Sequence, residues 1–250
     1  MRRVKGIAIP PLGRAVLAEG LGSALLAALV VGSGIAAQQL STDVGLQLLE
    51  NSAATAAGLF AIILMFGPAS GAHFNPVVSL ADALFGGLPW RHAAFYAPVQ
   101  IAGCCLGAML ANLMFDGSAV SLSTKHRATG PHLLAEVIAT AGLVLVIFAL
   151  ARSRRGALAP AAVAAYIGAA YWFTSSTSFA NPAITVGRML SDTFAGIAPA
   201  SAPAYIVAQV VGGLLGVALV GLLYPGLTAA EAATVVDHGP EQLSDLVGRT

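Results

Sequence analysis

The sequence predicts an all-α membrane protein with six transmembrane helices and two re-entrant half-helices, arranged as two inverted repeats. Three observations support this fold class. The 250-residue chain is 57% hydrophobic and only 9% charged, whereas soluble domains carry roughly 25% charged residues. Six apolar stretches are long enough to cross a bilayer, which takes about 20 residues. Three residue patterns also occur twice along the chain in the same order.

The six predicted spans account for most of the chain. They cover about residues 14–36, 46–66, 90–114, 132–151, 157–176 and 203–224. Two apolar runs of half that length remain, at 75–86 and 181–190. The polar segment 226–250 is interpreted as a cytoplasmic tail, and residues 1–250 are interpreted as a single membrane domain.

Lysine and arginine residues near the span ends predict the orientation, because short cytoplasmic connections carry an excess of them. With the N-terminus inside the cell, the cations on the cytoplasmic side are Arg2, Arg3, Lys5, Arg14, Arg91, Arg152, Arg154, Arg155 and Arg249. Those on the other side are Lys125, Arg127 and Arg188. Both termini are therefore expected in the cytoplasm. The Ala- and Gly-rich composition and the short connections favour a bacterial inner membrane.

An internal repeat divides the chain into a first copy at about 14–114 and a second at about 132–224. The matching patterns are Leu17-Ala18-Glu19 with Leu134-Ala135-Glu136, Asn75-Pro76 with Asn181-Pro182, and Tyr96, Gln100 and Gly103 with Tyr205, Gln209 and Gly212. Each copy contains three spans and one half-length run. Because three is an odd number, the two copies are expected in opposite membrane orientations.

The two Asn-Pro pairs, Asn75-Pro76 and Asn181-Pro182, predict the starts of the half-helices. Each pair ends a polar loop and opens an apolar run. Asn is favoured as a helix N-cap, and Pro is favoured at the first helical position. Inverted repeats with discontinuous helices place such helix ends together near the bilayer midplane. Unpaired N–H groups and helix dipoles would make that centre electropositive, which disfavours cations.

These features together resemble the aquaporin (major intrinsic protein) superfamily. They include the two Asn-Pro boxes in inverted halves, a glutamate in spans 1 and 4, and Gly71-Ala72-His73-Phe74-Asn75-Pro76 before the first half-helix. The resemblance covers about residues 14–224. It is closest to aquaglyceroporin-like bacterial channels without the selectivity-filter arginine, an arsenic-associated type. It implies a homotetramer with one pore in each protomer, and pore boxes made of Asn75, Pro76, Val77, Asn181, Pro182 and Ala183.

Two glutamates, Glu19 and Glu136, lie inside predicted spans, where ionisable residues are costly. Three uses remain open: they accept hydrogen bonds from the re-entrant loops, they carry protons in a coupled transporter, or they bind a cation. One glutamate in each half suits the first use, which the resemblance also implies. Gln100 and Gln209 are expected to form interhelical hydrogen bonds. His73 is expected to stabilise its loop, with some exposure to the pore.

The predicted outer constriction departs from the family pattern. Most members carry an arginine three residues after the second Asn, and this chain has Ile184 there. The resemblance places Thr55 and Ser178 beside it. An ungapped count adds Ala169 from span 5, with Tyr171–Phe173 as alternatives under a different loop length. The predicted ring is wide, weakly polar and uncharged, and it suits solutes larger than water.

Arg188 lies four residues after Ile184, one turn further along the same face of a helix. Two interpretations remain open: a vestibule charge that replaces the missing arginine from a displaced position, or a structural surface pair with Asp192. The cluster Lys125-His126-Arg127 in the longest external loop is interpreted as a solvated basic patch.

The sequence therefore predicts a passive transmembrane channel for glycerol-like polyols, neutral metalloid acids such as arsenite, and water. A predominantly water-selective channel is one alternative. A proton-coupled transporter that uses Glu19 or Glu136 is another, less favoured one. No enzymatic activity, catalytic residue, cofactor or metal site is expected, because the sequence contains no corresponding motif. The net charge of +1 gives no indication of nucleic-acid binding.

Overall fold

The structure, a computed structural model, describes residues 11–225, which form eight α-helices. The six long ones are α1 (Pro11–Leu40), α2 (Val44–Ser70), α4 (Trp90–Met114), α5 (Gly130–Arg152), α6 (Ala159–Phe173) and α8 (Ala202–Leu223). The two short ones are α3 (Pro76–Phe85) and α7 (Pro182–Arg188). Six stretches are long and apolar enough to span a membrane, with α6 extended from Gly156 by a 3₁₀ turn. The predicted spans and half-helices are confirmed, whereas the tail 226–250 and the cations Arg2, Arg3, Lys5 and Arg249 lie outside the described residues.

The two repeats correspond to α1–α4 and α5–α8. Within the first, α1 packs most extensively against α4, and in the second α5 packs in the same way against α8. Glycines allow these helices to approach closely. A Cβ atom at Gly107 would collide with the backbone carbonyl of Ala24, and one at Gly212 would collide with that of Val137. Small residues at such crossings are typical of helix packing in membranes.

Each long helix crosses the bundle once, so the connections alternate between its two faces. We call the face on which α1 begins the N-terminal face. The connection between α2 and α4 lies on this side and contains α3, whereas α7 belongs to the connection between α6 and α8 on the opposite face. The two short helices therefore enter from opposite faces, and they contact each other inside the bundle.

The bundle has an apolar outside and polar groups within. Phe95, Leu110 and Leu222 are three of many large apolar side chains that are exposed, whereas Glu19 and Glu136 have no exposed surface. A lipid environment explains this distribution, because apolar side chains can contact hydrocarbon while polar groups must be satisfied by protein partners.

The half-helices begin at the two asparagines. The Oδ1 atom of Asn75 accepts a hydrogen bond from the backbone N–H of Val77 at 3.0 Å. Asn181 accepts in the same way from Ala183 at 2.9 Å and from Ile184 at 3.3 Å. Each asparagine thus caps the helix that its proline opens, which satisfies N–H groups that have no partner within the helix.

Candidate functional site

A cavity of about 620 Å³ extends along the centre of the bundle. Its wall includes Gly67 and Pro160 toward the N-terminal face and Arg188 toward the opposite face. Asn75 and Asn181 line it between these ends, where the two half-helices meet. The cavity therefore connects the regions on which both repeats converge.

Each asparagine also bonds to the loop of the other repeat. The Nδ2 atom of Asn75 donates to the carbonyl of Ala180 at 2.7 Å, and Nδ2 of Asn181 donates to the carbonyl of Phe74 at 2.7 Å. A side-chain amide has two N–H donors. Among the described residues nothing accepts from the second N–H of either asparagine, so each has one donor left for a molecule in the cavity.

The loops before the asparagines contain residues other than glycine in left-handed backbone conformations. The φ angles are 53° at Ala72 and 50° at Phe74, and 48° at both Ser178 and Ala180. Such values are uncommon for non-glycine residues, and they persist where the surroundings fix the backbone. In both loops a buried glutamate supplies hydrogen bonds that do so.

Glu19 of α1 holds the first loop. Its Oε1 atom accepts from the backbone N–H of His73 at 2.9 Å and from the hydroxyl of Ser70 at 2.6 Å. Its Oε2 atom accepts from the N–H of Phe74 at 2.7 Å and from Nε2 of Gln100 at 2.8 Å. One carboxylate therefore satisfies four donors and ties α1 to the loop and to α4.

Glu136 of α5 holds the second loop by equivalent bonds. Its Oε1 atom accepts from the backbone N–H of Phe179 at 2.9 Å. Its Oε2 atom accepts from the N–H of Ala180 at 2.8 Å and from Nε2 of Gln209 at 2.6 Å. The second repeat thus reproduces the arrangement of the first with one donor fewer.

His73 both stabilises its loop and faces the cavity. Its Nδ1 atom lies 3.0 Å from the hydroxyl of Ser79, and its Nε2 atom lies 3.3 Å from Oδ2 of Asp82. The ring packs edge-on against Tyr96 with 5.7 Å between centroids. Because His73 also lines the cavity, the imidazole contributes to its wall on the N-terminal side of the asparagines.

Three of the four predicted constriction residues lie together on the cavity wall. Thr55, Ser178 and Ile184 all line it, and Tyr171 of α6 joins them. The Thr55 hydroxyl lies 3.2 Å from that of Tyr171, whereas the Ser178 hydroxyl has no hydrogen-bond partner among the described residues. These four side chains are therefore weakly polar or apolar, and none of them carries a formal charge.

Ala169 does not belong to this group, so the prediction from the ungapped count was wrong. It is exposed on the outside of α6, and Tyr171 takes the inward position. The rotation of α6 is fixed by its contacts with α2, because Trp172 donates to the hydroxyl of Ser52 at 3.0 Å. At about 100° per residue, two residues along a helix face nearly opposite sides, so an error of two positions moves a residue from lipid to cavity.

Arg188 lies inside the protein and not in a surface pair with Asp192. Its side chain lines the cavity, and only 2% of its surface is exposed. The Asp192 carboxylate is instead bonded to Thr124, whose backbone N–H donates at 2.9 Å. This bond lowers the pKa of Asp192 below its usual value. The surface-pair interpretation is therefore wrong.

Lys125 and Arg127 are also not a solvated patch, since both are half-buried and bonded to the segment Phe194–Gly196. Lys125 Nζ donates to the carbonyl of Phe194 at 3.1 Å, and Arg127 Nε donates to that of Gly196 at 2.8 Å. Burial lowers the pKa of Lys125, and the neighbouring charge of Arg127 lowers it further. The two cations hold the loop on the opposite face in place.

Sequence reasoning missed the surroundings of Arg188, although a signal was present. The spacing of 106 residues that relates Asn75 to Asn181 also pairs Asp82 with Arg188 and His73 with Phe179. In the structure His73 contacts Asp82, and the Arg188 guanidinium lies over the ring of Phe179. Applying the repeat to the loops as well as to the half-helices would have shown that Arg188 and Phe179 occupy the positions equivalent to Asp82 and His73.

Comparisons with known proteins agree with this architecture. The family model described as "Major intrinsic protein" matches residues 8–180 and 172–247. The chain is 48% identical over 209 residues to Aquaglyceroporin AqpS of Rhizobium meliloti, covering 83% of this chain and 89% of that protein. It is 34% identical over 221 residues to a Glycerol uptake facilitator protein of Pseudomonas aeruginosa, covering 76% and 78%.

The fold also matches a solved structure. The X-ray structure of the aquaglyceroporin from Plasmodium falciparum aligns with a TM-score of 0.65 at 20% sequence identity, covering 86% of this chain and 98% of that one. At that identity the match supports the fold alone. Together with the family match over most of the chain, it leads to one conclusion: this chain belongs to the major intrinsic protein family.

Proposed function

We propose that the protein is a passive membrane channel, not an enzyme, for glycerol-like polyols, neutral metalloid acids such as arsenite, and water. One observation carries the proposal: the same cavity is lined by both pore asparagines and by the uncharged side chains of Thr55, Ser178 and Ile184. Two relatives at 48% and 34% identity are named an aquaglyceroporin and a glycerol uptake facilitator, which supports glycerol as a solute.

The cavity suits molecules with one apolar and one polar side. Leu59, Leu143 and Ile167 contribute apolar wall, and the asparagines contribute N–H donors. A polyol can therefore slide its CH groups along the apolar wall while its hydroxyl oxygens accept hydrogen bonds. An undissociated metalloid hydroxide offers the same hydroxyl oxygens without a charge, and water offers one such oxygen.

Ile184 is the feature that favours solutes larger than water. Its side chain contacts the cavity at the position where the family pattern places an arginine. An isoleucine neither fills the passage with a guanidinium nor requires a solute to replace its hydrogen bonds. A predominantly water-selective channel would need a narrower, more polar passage than this position provides.

The hydrogen bonds of the two glutamates argue against the proton-coupled alternative. Both carboxylates accept bonds from backbone N–H groups of the re-entrant loops. Protonation would convert an acceptor oxygen into a donor and would set it against those N–H groups. If Glu19 or Glu136 carried protons, it would break its hydrogen bonds to the re-entrant loop in every transport cycle. This favours a permanent role in holding the loop.

We also propose that the N-terminal face is cytoplasmic, that both termini lie there, and that the host is a bacterial inner membrane. The cations Arg14, Arg91, Arg152, Arg154 and Arg155 lie at helix ends on this face, in agreement with the excess expected there. A homotetramer with one pore per protomer is our proposal for the assembly, and it rests on the family relationship.

Reconstituted vesicles test the proposed function. Vesicles with purified protein and empty vesicles are exposed to iso-osmotic gradients of glycerol and urea, and arsenite uptake is measured in parallel at neutral pH, where the acid is uncharged. We expect swelling and uptake well above those of empty vesicles. Shrinkage in impermeant osmolyte gives the water flux, and a large water flux without solute flux would favour the water-selective alternative.

A further inference from the structure

We propose that Arg188 is the cation that selects solutes in this pore. It lies one helical turn beyond the position at which the family pattern places an arginine. The inference deepens the proposed channel function and rests on it. It assigns Arg188 two roles: hydrogen bonding to the oxygens of uncharged solutes, and exclusion of cations, which the uncharged side chain of Ile184 would not repel.

The position of Arg188 makes these roles available. It ends α7 four residues after Ile184, which is about 6 Å further toward the opposite face at 1.5 Å per residue. Both side chains line the same cavity. A solute that enters from the opposite face therefore meets the guanidinium before it meets the isoleucine.

The guanidinium is held on an aromatic ring. Its Cζ atom lies 3.4 Å from the centroid of Phe179, and its Nε atom donates to the carbonyl of Ala195. A cation over an aromatic face is stabilised by the ring quadrupole, more strongly where water is excluded. Phe179 is itself fixed, because its backbone N–H is bonded to Glu136.

The two terminal nitrogens of Arg188 remain available to a solute. The side chain donates one hydrogen bond to the described residues, from Nε to the carbonyl of Ala195. Neither of its terminal nitrogens has an acceptor among those residues. No carboxylate in the described part of the chain forms an ion pair with it. The side chain therefore presents a full positive charge and unused N–H donors to the cavity that it lines.

The segment Phe194–Gly196 keeps the guanidinium in place. All three of its carbonyls accept from cations: that of Phe194 from Lys125 and Arg127, that of Ala195 from Arg188, and that of Gly196 from Arg127. Lys125 and Arg127 are thus positioning residues, because they bind the carbonyls on either side of the one that accepts from Arg188. An arginine that served only to hold this loop would not need terminal nitrogens facing a cavity.

The equivalent position in the first repeat shows a different solution. Asp82 occupies it, lies fully buried, and is 3.3 Å from His73. It is not part of the cavity wall, whereas Arg188 is. The repeat has therefore diverged at this position, and the second copy directs a charge of opposite sign into the passage.

The chemistry of a guanidinium defines the solutes that it favours. It offers N–H donors and no acceptor, so it binds oxygen atoms of polyols, urea or undissociated hydroxides. It repels hydronium and organic cations such as methylammonium, and in a narrow protein passage this repulsion is screened less than in water. The predicted class is therefore small, uncharged and oxygen-bearing.

Arg188→Met tests the inference, with Arg155→Met as the matched control because Arg155 is exposed and lies outside the cavity wall. Methylammonium and proton leak, glycerol flux and water flux are measured in the same vesicles. In Arg188→Met we expect the cation leak to rise at least about tenfold, the factor that corresponds to 1.4 kcal/mol, and the glycerol-to-water flux ratio to change. In the control both should equal the wild type.

A second variant moves the charge and does not delete it. In Ile184→Arg/Arg188→Met the cation returns to the position that the family pattern predicts, and we expect the low cation leak of the wild type to return. Phe179→Leu keeps Arg188 but removes the ring beneath it, so it tests the inference if Arg188→Met does not fold. We expect it to raise the leak by a smaller factor.

The outcomes separate the two proposals. If wild-type vesicles show no glycerol flux above empty vesicles, the proposed function is wrong. If the wild type conducts glycerol but folded Arg188→Met has an unchanged cation leak and an unchanged glycerol-to-water ratio, the assignment of Arg188 is wrong. Unchanged leak and ratio in Phe179→Leu would contradict the assignment in the same way.

Discussion

Replacing Glu19 by glutamine exchanges one of the two carboxylate oxygens that hold the first re-entrant loop for an NH₂ group. The carboxylate accepts four hydrogen bonds, two at each oxygen. An amide keeps one acceptor oxygen and puts an NH₂ group in place of the other. Whichever way the amide is oriented, two donors lose their acceptor and face N–H groups instead.

The loss can be compared between the two repeats. Hydrogen bonds to charged groups contribute about 1.5–3 kcal/mol each, so Glu19→Gln should lower the free energy of unfolding by about 3–6 kcal/mol. Glu136 accepts from one donor at Oε1 and from two at Oε2. An amide oriented with its oxygen toward the two donors loses one bond, so Glu136→Gln should cost about half as much, 1.5–3 kcal/mol.

Thermal unfolding of the purified protein in detergent, together with glycerol flux in vesicles, measures this effect. Asp116→Asn is the matched control, since Asp116 is an exposed carboxylate with φ 60°, a conformation that Asn tolerates. We expect stability in the order wild type and Asp116→Asn, then Glu136→Gln, then Glu19→Gln.

Two results would refute this reasoning. One is a Glu19→Gln variant as stable as Asp116→Asn, and the other is a reversed order of the two glutamate variants. A Glu19→Gln variant of normal stability that loses uphill, pH-driven solute uptake would instead support the proton-coupled transporter.

Three further predictions concern other parts of the molecule. Ile184→Arg should reduce glycerol flux by more than water flux in vesicles, because a guanidinium narrows the uncharged wall, whereas Ile184→Leu should leave the ratio unchanged. Gly107→Val should lower the free energy of unfolding by at least about 1–3 kcal/mol, because the new side chain meets the backbone of α1. Gly221→Val is the control, because a side chain there meets open space and should not lower stability. Equal stability of the two variants would contradict the close packing of α1 against α4. Asp192 should stabilise the loop on the opposite face fully above its unfolded pKa of 3.8, and this contribution should be lost as the pH falls through its lower folded pKa. Limited proteolysis should detect the acid loosening in the wild type, and in Asp192→Ala, which has no side-chain acceptor for Thr124, the loop should be loose at neutral pH as well.

The architecture could be predicted because membrane constraints act on long stretches of sequence. Span length and apolarity predicted α1, α2, α4, α5, α6 and α8. The Asn-Pro pairs predicted both half-helices, because capping preferences are local. The pairing of Glu19 with one loop and Glu136 with the other also followed from one physical need, since irregular backbone inside a membrane must find partners.

Details that depend on helix rotation and side-chain reach could not be predicted in this way. Ala169 and Tyr171 differ by two residues, and only the packing of α6 against α2 decides which one faces the cavity. Arg188 was judged by its sequence neighbour Asp192, yet its contacts are with Phe179 and Ala195. A long arginine side chain selects among partners that the folded loop presents, and the spacing along one helix does not reveal them.

The roles of Lys125 and Arg127 illustrate the same limit. Their partners, the carbonyls of Phe194 and Gly196, lie almost 70 residues away in sequence. A cluster of cations in a polar loop has the same composition whether it is solvated or bonded to backbone. Only the position of the loop after α7 distinguishes the two.

In the proposed function, one passage admits uncharged solutes larger than water without coupling to protons. The most direct test is glycerol swelling of vesicles containing the wild-type protein, measured with and without a transmembrane pH gradient. We expect swelling well above that of empty vesicles and equal rates in both conditions. Swelling no faster than in empty vesicles, or glycerol accumulation driven uphill by the pH gradient, would contradict it.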